Sequence, residues 1–275
     1  MVNNKKIGLG IVCFEGTEHL ESIISEIREY VDIVVLHMQT ISYCGNTIDK
    51  IDLDEINRLK NIGLIDYILE FNNIDGMPFR EQETVKRNNT IEFLQNKGCD
   101  YVHIIDSDEF YDKTEFKNAA DFIINNNIEI SYCRYINYYH DLKHYIVMPF
   151  KCYVPFLLKS KYRFKFNCND FSGASDPTRR VSKPNNVDNF VFDWNFIKMH
   201  HMSWLRNDIR KKINNWSAKT HFDNDLIDKA VESFKKWDGD VKTTILFNVP
   251  NNQVNINELP TQYAYPKNTI NYKYE

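Results

Sequence analysis

The sequence predicts an α/β fold with a mostly parallel central sheet flanked by helices. In residues 5–125, short apolar runs rich in β-branched side chains alternate with segments of helical periodicity. Such alternation implies parallel strands joined by right-handed crossovers. The length of 275 residues and the 43 % hydrophobic content fit one large domain or two small ones.

The elements of the first half follow from their spacing. The first helix carries Leu20, Ile23, Ile24 and Ile27 on one side. The long third helix ends at Gly98, a typical residue just after a helix. In chain order the predicted elements are the strand KIGLGIVCF, the helix GTEHLESIISEIREYV with Thr17 as its N-cap, the strand DIVVLHMQ, the helix DLDEINRLKNIG, the strand IDYILEFN, the helix FREQETVKRNNTIEFLQNKG, the strand YVHII, and the helix TEFKNAADFIINNN.

After residue 125 the pattern changes to strands with little helix between them. The stretch CNDFSGASDPTRR and the residues after it are rich in loop formers. The predicted strands are IEISYCRYINYYHDL, HYIVMPFKCYVPFLLKS, YRFKFNC and FVFDWNFIKMHHMSW, followed by the helices LRNDIRKKINNWSAKTHF and DNDLIDKAVESFKKWDG. We therefore divide one compact domain into halves 1–125 and 126–242 and a tail, 243–275.

Composition disfavours several classes of protein. A net charge of −4 provides no overall basic field for nucleic acid, although modified DNA bases stay open as an acceptor. No apolar run approaches the roughly 20 residues of a membrane span, and the N-terminus is typical of a first strand rather than a signal peptide. Six dispersed cysteines without C-x-x-C indicate reduced thiols in a cytoplasmic protein without a zinc site. Dinucleotide-binding and P-loop motifs are missing.

Three carboxylates, Asp106, Asp108 and Glu109, directly follow the apolar run YVHII. Carboxylates are rarely buried unless they are paired or bind a metal. We therefore expect these acids where the fourth strand leaves the core, at the carboxyl edge of the sheet, where ligands of α/β proteins bind.

With the D-x-D sequence Asp106-Ser107-Asp108 in this position, the chain resembles the GT-A-fold glycosyltransferases, most closely family 2. Arg87-Asn88 and Gly98 match the helix and turn that precede D-x-D in that family. The resemblance covers residues 5–125 and, more loosely, the His-Trp region near residue 200. It implies a metal-dependent, inverting transfer of a sugar from a nucleotide-sugar, a UDP-sugar first, to a glycan or other hydroxyl-bearing acceptor. The first half would bind the donor and the second the acceptor.

A divalent cation, Mn²⁺ or Mg²⁺, is expected to neutralise the charge of the departing diphosphate. The resemblance implies that Asp108 ligates it and that Asp106, beside Ser107, meets the ribose or a metal-bound water. The sequence His201-Met202-Ser203-Trp204 fits the histidine that this family supplies from its second half. Because adjacent strand residues face opposite ways, we expect His201 at the metal and His200 in the core.

The remaining candidate residues are a base and several donor contacts. Asn169-Asp170 resembles the family's base position, and Asp176 competes with Asp170 in the same loop; Asp188 and Asp193 are further alternatives. A helix would place Arg206 and Arg210 on one face as a diphosphate clamp, whereas Lys211 and Lys212 fit a solvated face at least as well. Further donor contacts are predicted at Phe14, Glu15, Arg80 and Arg87.

Two other classes stay open. A sugar-nucleotide nucleotidyltransferase shares the sheet and the acids, but the N-terminal GLGIVCFEGTEH lacks the glycine-rich phosphate loop of that class. A non-catalytic carbohydrate-binding module would use aromatic side chains to stack on sugars, although aromatics more often fill a core. The candidates for such stacking are Tyr132, Tyr135, Tyr138, Tyr139, Trp194 and Trp204.

Overall fold

A computed structural model describes residues 4–148, 151–168, 176–206, 208–239, 243–245, 247 and 253–260. The helices are α1 (Leu20–Ile27), α2 (Lys50–Asn61), α3 (Phe79–Asn96), α4 (Lys113–Asn125), α5 (Ile209–Asn215) and α6 (Asn224–Lys235). The strands are β1 (Ile7–Cys13), β2 (Ile33–Met38), β3 (Tyr67–Glu70), β4 (Tyr101–Asp106), β5 (Glu109–Phe110), β6 (Ile130–Tyr139), β7 (Asp141–Val147), β8 (Tyr153–Lys159), β9 (Arg163–Phe164), β10 (Val181–Ser182), β11 (Phe190–Val191), β12 (Lys198–Trp204), β13 (Thr243–Ile245) and β14 (Gln253–Glu258).

The first half has the predicted alternation of strands and helices. Strands β3, β2, β1 and β4 lie side by side and parallel. Every residue of β1 is buried, as expected for a strand covered on both faces. Helix α3 ends at Asn96, and Gly98 adopts the left-handed conformation (φ +83°) that the sequence predicted for it.

The second half continues the same sheet with a different pairing. Strand β8 joins β4 antiparallel, and β6, β7, β14 and β13 follow, each antiparallel to its neighbour. Only His140 separates β6 from β7, and so short a turn permits antiparallel pairing alone. The α/β class is thus confirmed. Helices flank a mixed sheet, and the four N-terminal strands of that sheet are all parallel.

The segment FVFDWNFIKMHHMSW forms two strands rather than the single strand predicted. Between β11 and β12 the chain turns at Asp193, whose side chain accepts a hydrogen bond from the Asn195 amide (2.8 Å) and whose carbonyl accepts one from Phe196 (3.0 Å). The helix predicted from residue 205 is also shorter. Asp208 caps α5 by accepting from the Lys211 amide (2.9 Å), so that Arg206 precedes the helix.

Strand β12 brings the second half to the acids of the first. It pairs parallel with β6 and antiparallel with the short β5, in a register that sets His201 opposite Glu109. The Met202 amide donates to the Asp108 carbonyl (2.8 Å). The D-x-D turn and the His-Trp segment are therefore joined by backbone hydrogen bonds.

Hydrophobic clusters form on both faces of the sheet. The largest packs α1, α2 and α4 on one face, α3 covers the other, and a further cluster lies under α5 and α6 around Tyr139 and Trp204. All six cysteines are free thiols. Among the helices of the described ranges, none combines the length and the apolar character needed to cross a bilayer.

Candidate functional site

A cleft of about 660 Å³ opens at the carboxyl ends of β1 and β4. Val12 lies beside Asp106 in the parallel register, which places the turn after β1 next to the D-x-D turn. Side chains of both halves line it, among them Glu15, Asp106 and Asp108 from the first half and Arg179, Arg206 and Lys212 from the second. Its volume is that of a typical small-molecule site.

Asp106 is bound mainly within its own half, although Nη2 of Arg179 from the second half lies 3.8 Å from one of its oxygens. The guanidinium of Arg87, fully buried on α3, donates to both Asp106 carboxylate oxygens (2.7 and 3.2 Å) and to Glu83 (2.6 Å). The Asp106 side chain keeps 29 % of its surface exposed and faces the cleft. Arg87, predicted as a donor contact, thus orients the Asp106 carboxylate toward the cleft.

Glu109 is neutralised by the second half. It is fully buried, and Arg179 donates to both of its carboxylate oxygens (2.8 and 2.5 Å). Although burial alone would lower it, Glu109 and Asp106 raise the pKa of Arg179 well above its ordinary value. From the sequence, Arg179 could reach phosphate or acceptor from its loop, but nothing in its local pattern indicates the distant carboxylate that it binds.

Asp108 lies between cationic side chains of the second half. Its Oδ2 accepts from Arg206 (3.0 Å) and Lys212 (2.6 Å), and its Oδ1 lies 3.6 Å from Nε2 of His201. Although burial alone would raise it, Lys212 and His201 lower the pKa of Asp108 well below its usual range. From the sequence, a solvated face was at least as good a place for Lys212 as the diphosphate. The buried Ile209 and Ile213 of α5 are the signal that would have oriented Lys212 toward the cleft.

The two histidines face opposite sides of β12, as the alternation predicts. His200 is buried, its Nδ1 is 2.8 Å from the Tyr138 hydroxyl, and burial lowers its pKa to about 3. The half-buried His201 lines the cleft, and its ring makes an edge contact with Tyr135. A ligand role for His201 stays a prediction.

Of the two candidate bases, Asp170 lies outside the described residues. The Asp176 carboxylate accepts from the Thr178 amide (2.8 Å), the Thr178 hydroxyl (2.7 Å) and Nε of Arg179 (2.9 Å). Although burial alone would raise it, Arg179 and Arg87 lower the pKa of Asp176 below its ordinary value. Asp176 therefore caps the short turn Pro177–Arg179 as an ionised group.

The remaining donor candidates divide into two groups. Phe14, Glu15, Arg80 and Ser107 line the cleft; the Ser107 hydroxyl donates to the Glu15 carbonyl (3.0 Å), and Asn215 donates to the Glu15 carboxylate (3.0 Å). Arg210 instead forms an exposed ion pair with Asp228 on α6 (2.7 Å). The proposed clamp with Arg206 assumed a continuous helix, and the start of α5 at Ile209 removes that geometry.

The inner end of the cleft contains a buried lysine that the sequence analysis did not single out. Lys86 on α3 donates to the Cys13 carbonyl (2.8 Å) and to Gln39 Oε1 (3.1 Å), and burial lowers its pKa to about 7. Gln39 stands after β2, where the resemblance implies an acidic residue, and its amide also donates to Asn73 (2.9 Å).

The side chains at the D-x-D turn do not fit a divalent cation as they stand. Both oxygens of Asp106 accept from Arg87, and one oxygen of Asp108 carries Arg206 and Lys212, whereas a hard cation needs several free oxygen ligands. One carboxylate oxygen and the His201 ring remain. Across the described residues, no group of three or more His, Cys, Asp or Glu side chains is arranged to hold a metal ion.

Comparisons with known proteins give distant likenesses. No family model and no curated protein match the chain. Among solved structures, S. aureus TarS is 12 % identical with a TM-score of 0.42, over 83 % of this chain and 43 % of that one. TarS 1-349 in complex with UDP-GlcNAc is 13 % identical with a TM-score of 0.41, over 83 % and 72 %.

A third similar structure is glucosyl-3-phosphoglycerate synthase from Mycobacterium tuberculosis in complex with Mn²⁺, UDP and glucosyl-3-phosphoglycerate. It is 16 % identical with a TM-score of 0.32, over 48 % of this chain and 44 % of that one. The chain thus spans less than half the length of full TarS and of the synthase. At TM-scores of 0.32–0.42, these likenesses are distant and assign no activity to this chain.

Proposed function

We propose that the chain is a glycosyltransferase that moves a sugar from a UDP-sugar to an acceptor hydroxyl. The proposal is supported mainly by the cleft at the carboxyl ends of β1 and β4, where Asp108 contacts Arg206 and Lys212 and Asp106 lines the same cavity. In this concave site, carboxylates of the first half converge with cationic side chains of the second half. Cationic side chains can bind a phosphate-bearing substrate, and carboxylates can act on a nucleophilic hydroxyl. UDP is the donor nucleotide implied by the sequence resemblance.

The reaction would break the bond between the anomeric carbon and the diphosphate oxygen. The electron pair leaves with the diphosphate, the acceptor oxygen bonds to the anomeric carbon, and the hydroxyl proton passes to a carboxylate base. The role of Arg206 is to bind negative charge on the leaving group, because a guanidinium matches phosphate oxygens. With a base opposite the leaving group, the transfer inverts the anomeric configuration.

We propose Asp170 rather than Asp176 as the base. A general base works best when its pKa lies near the working pH. The hydrogen bonds of Asp176 to Thr178 and Arg179 hold it ionised and reduce its basicity. The resemblance to the family's base position at Asn169-Asp170 is the sequence argument for the other aspartate.

A donor screen tests the function. The chain is incubated with UDP-, GDP-, CMP- and TDP-sugars, with and without Mn²⁺ or Mg²⁺, and release of the nucleoside diphosphate or monophosphate is measured with water as acceptor. We expect turnover with a UDP-sugar. Formation of a nucleotide-sugar from a nucleoside triphosphate and a sugar phosphate, without any transfer, would instead identify a nucleotidyltransferase.

Matched variants test the base. Asp170→Asn should lower turnover by ~10²–10⁴-fold with little change in donor affinity. Asp54→Asn, at an exposed residue of α2 that does not line the cleft, is the control and should keep full turnover. Normal turnover of Asp170→Asn with a strong loss in Asp176→Asn would reverse the assignment.

A further inference from the structure

The cationic partners of Asp108 occupy the place where a metal was expected. Arg206 and Lys212 both reach the same carboxylate oxygen, Oδ2, at 3.0 and 2.6 Å. Both side chains line the cleft, and Asp108 itself is buried. A buried carboxylate is commonly matched by a cation. Here two side chains of the second half already supply that charge.

The guanidinium of Arg206 is held in place by its surroundings. It is buried, it lies 3.4 Å from Glu18, and it packs against the backbone of Gly16. A Cβ at Gly16 would stand 1.6 Å from Nη1 of Arg206, so only glycine, here with φ +82°, leaves room for this head group. The turn after β1 is thus shaped around the arginine.

Lys212 is held from the other side. Its ammonium contacts Asp108 and the hydroxyl of Ser203 on β12. An ammonium has three N–H donors, and these two partners take two of them. The third can serve an anion in the cleft, since Lys212 is one of the lining residues.

A divalent cation at Asp108 would have to share the carboxylate with the guanidinium of Arg206 and the ammonium of Lys212. A position between Asp108 Oδ1 and His201 Nε2, which are 3.6 Å apart, lies close to the ammonium that touches the other oxygen. Like charges at such distances repel strongly where water is excluded. Asp106 offsets little of this repulsion, because its charge is already matched by the bidentate guanidinium of Arg87.

We propose that Arg206 and Lys212, positioned by Asp108, bind the diphosphate of the donor in place of a divalent cation, so that nucleotide binding needs no metal. The inference rests on the proposed function, since it concerns the donor of that reaction. Asp108 is then a positioning residue. The guanidinium of Arg206 and the ammonium of Lys212 neutralise charge on the departing diphosphate. The sequence resemblance assigns this task to Mn²⁺ or Mg²⁺.

The test is titration of UDP into the full chain by calorimetry, first with excess EDTA and then with Mn²⁺ or Mg²⁺. We expect dissociation constants that agree within about threefold between these conditions. Lys212→Met should weaken UDP binding by about 10- to 100-fold in EDTA, the usual effect of losing a charge-assisted hydrogen bond. Lys229→Met, which removes an exposed lysine of α6, should change it less than twofold.

The outcomes separate this inference from the function on which it rests. UDP binding that vanishes in EDTA and returns with Mn²⁺ overturns the inference and leaves the transferase proposal standing. No UDP binding in any condition overturns both. Unchanged affinity of a folded Lys212→Met overturns the assignment of Lys212. If melting shows that Lys212→Met is unfolded, Lys212→Gln replaces it, and unchanged affinity of that variant overturns the assignment in the same way.

Asp108→Asn gives an independent reading. A positioning role predicts a loss of UDP affinity that is the same in EDTA and in Mn²⁺, because the variant releases Arg206 and Lys212 in both conditions. A metal-ligand role predicts a loss confined to the Mn²⁺ experiment, and that result would contradict the inference.

Discussion

The two halves of the molecule neutralise their charged side chains in different ways. In residues 5–125, Asp106 and Glu83 receive the guanidinium of Arg87 from the same half. Asp108 and Glu109, only two and three residues beyond Asp106, are instead matched by Arg206, Lys212 and Arg179 of the second half. The D-x-D turn is therefore completed across the boundary between the halves.

This difference explains how the site is assembled. The first half orients Asp106 with its own Arg87, whereas Asp108 and Glu109 depend on cations of the second half for charge pairing. Burying an unpaired charge is costly, so the contacts of Arg179 and Arg206 connect folding to formation of the cleft. The predictions below test this connection, contact by contact.

Arg179→Met should have the largest effect on stability. It leaves Glu109 buried without its bidentate partner, and breaking a buried pair in this way costs about 3–5 kcal/mol. Urea unfolding of the variant and the wild type gives the difference directly. As a control, the double variant Glu109→Leu/Arg179→Met removes both charges and should recover much of the loss. A single variant within 1 kcal/mol of the wild type would mean that the halves do not depend on this contact.

Acidification should destabilise the protein mainly through buried histidines of the first half. Burial lowers the pKa of His19, His37 and His103 to about 4 and that of His200, in the second half, to about 3. The folded state keeps these rings neutral, whereas the unfolded chain binds protons below its pKa of about 6.5. The contribution of these neutral rings to the free energy of unfolding is therefore fully present above pH 6.5 and is lost as the pH falls toward 4. Between pH 7 and pH 5, each ring lowers the free energy of unfolding by about 2 kcal/mol.

Denaturant unfolding at several pH values measures this slope. His200→Gln should reduce the loss between pH 7 and pH 5 by the share of one histidine, whatever its effect at pH 7. His221→Gln, at an exposed residue, should leave the slope unchanged. A pH-independent unfolding free energy over this range would contradict the prediction.

The same contrast separates what the sequence could and could not predict. The parallel half was predictable because each of its strands and helices follows from local periodicity, and Gly98 marks the end of α3. The alternation of His200 and His201 followed from strand geometry alone. The division of the predicted last strand into β11 and β12 was missed because, at the turn, Asp193 and Asn195 alternate with Trp194 and Phe196 as in a half-buried strand.

The charged contacts were harder to predict because they join residues far apart in the chain. Arg179 and Glu109 are separated by 70 residues, and Lys212 and Asp108 by 104. The sequence indicates that each is charged, but only the register of β12 on β5 and the start of α5 decide which charges meet. For this reason the sequence left Lys212 undecided between the diphosphate and a solvated face, and its partner Asp108 was not anticipated.

Lys211→Gln should have a smaller effect across the same boundary. The ammonium of Lys211 on α5 contacts Asp49 (2.6 Å) and Asp52 (3.2 Å) of the first half, and the lysine side chain is one-third exposed. Partly exposed pairs contribute at most about 1 kcal/mol. Because salt screens such pairs, the difference in melting temperature from the wild type should shrink at 1 M NaCl. A difference that is unaffected by salt would point to packing rather than charge.

Arg210→Gln should have the smallest effect, because this arginine does not cross the boundary. Its partner Asp228 lies in the same half, and both side chains are about half exposed, so the expected loss of stability is about 0.5 kcal/mol or less. UDP affinity should stay unchanged as well, whereas Arg206→Gln should weaken it. Parallel unfolding and calorimetry of these two variants decide the point. A matched loss of affinity in both would restore the clamp that helical spacing predicted, and would mean that the segment from Arg206 to Arg210 binds the donor as a single helix.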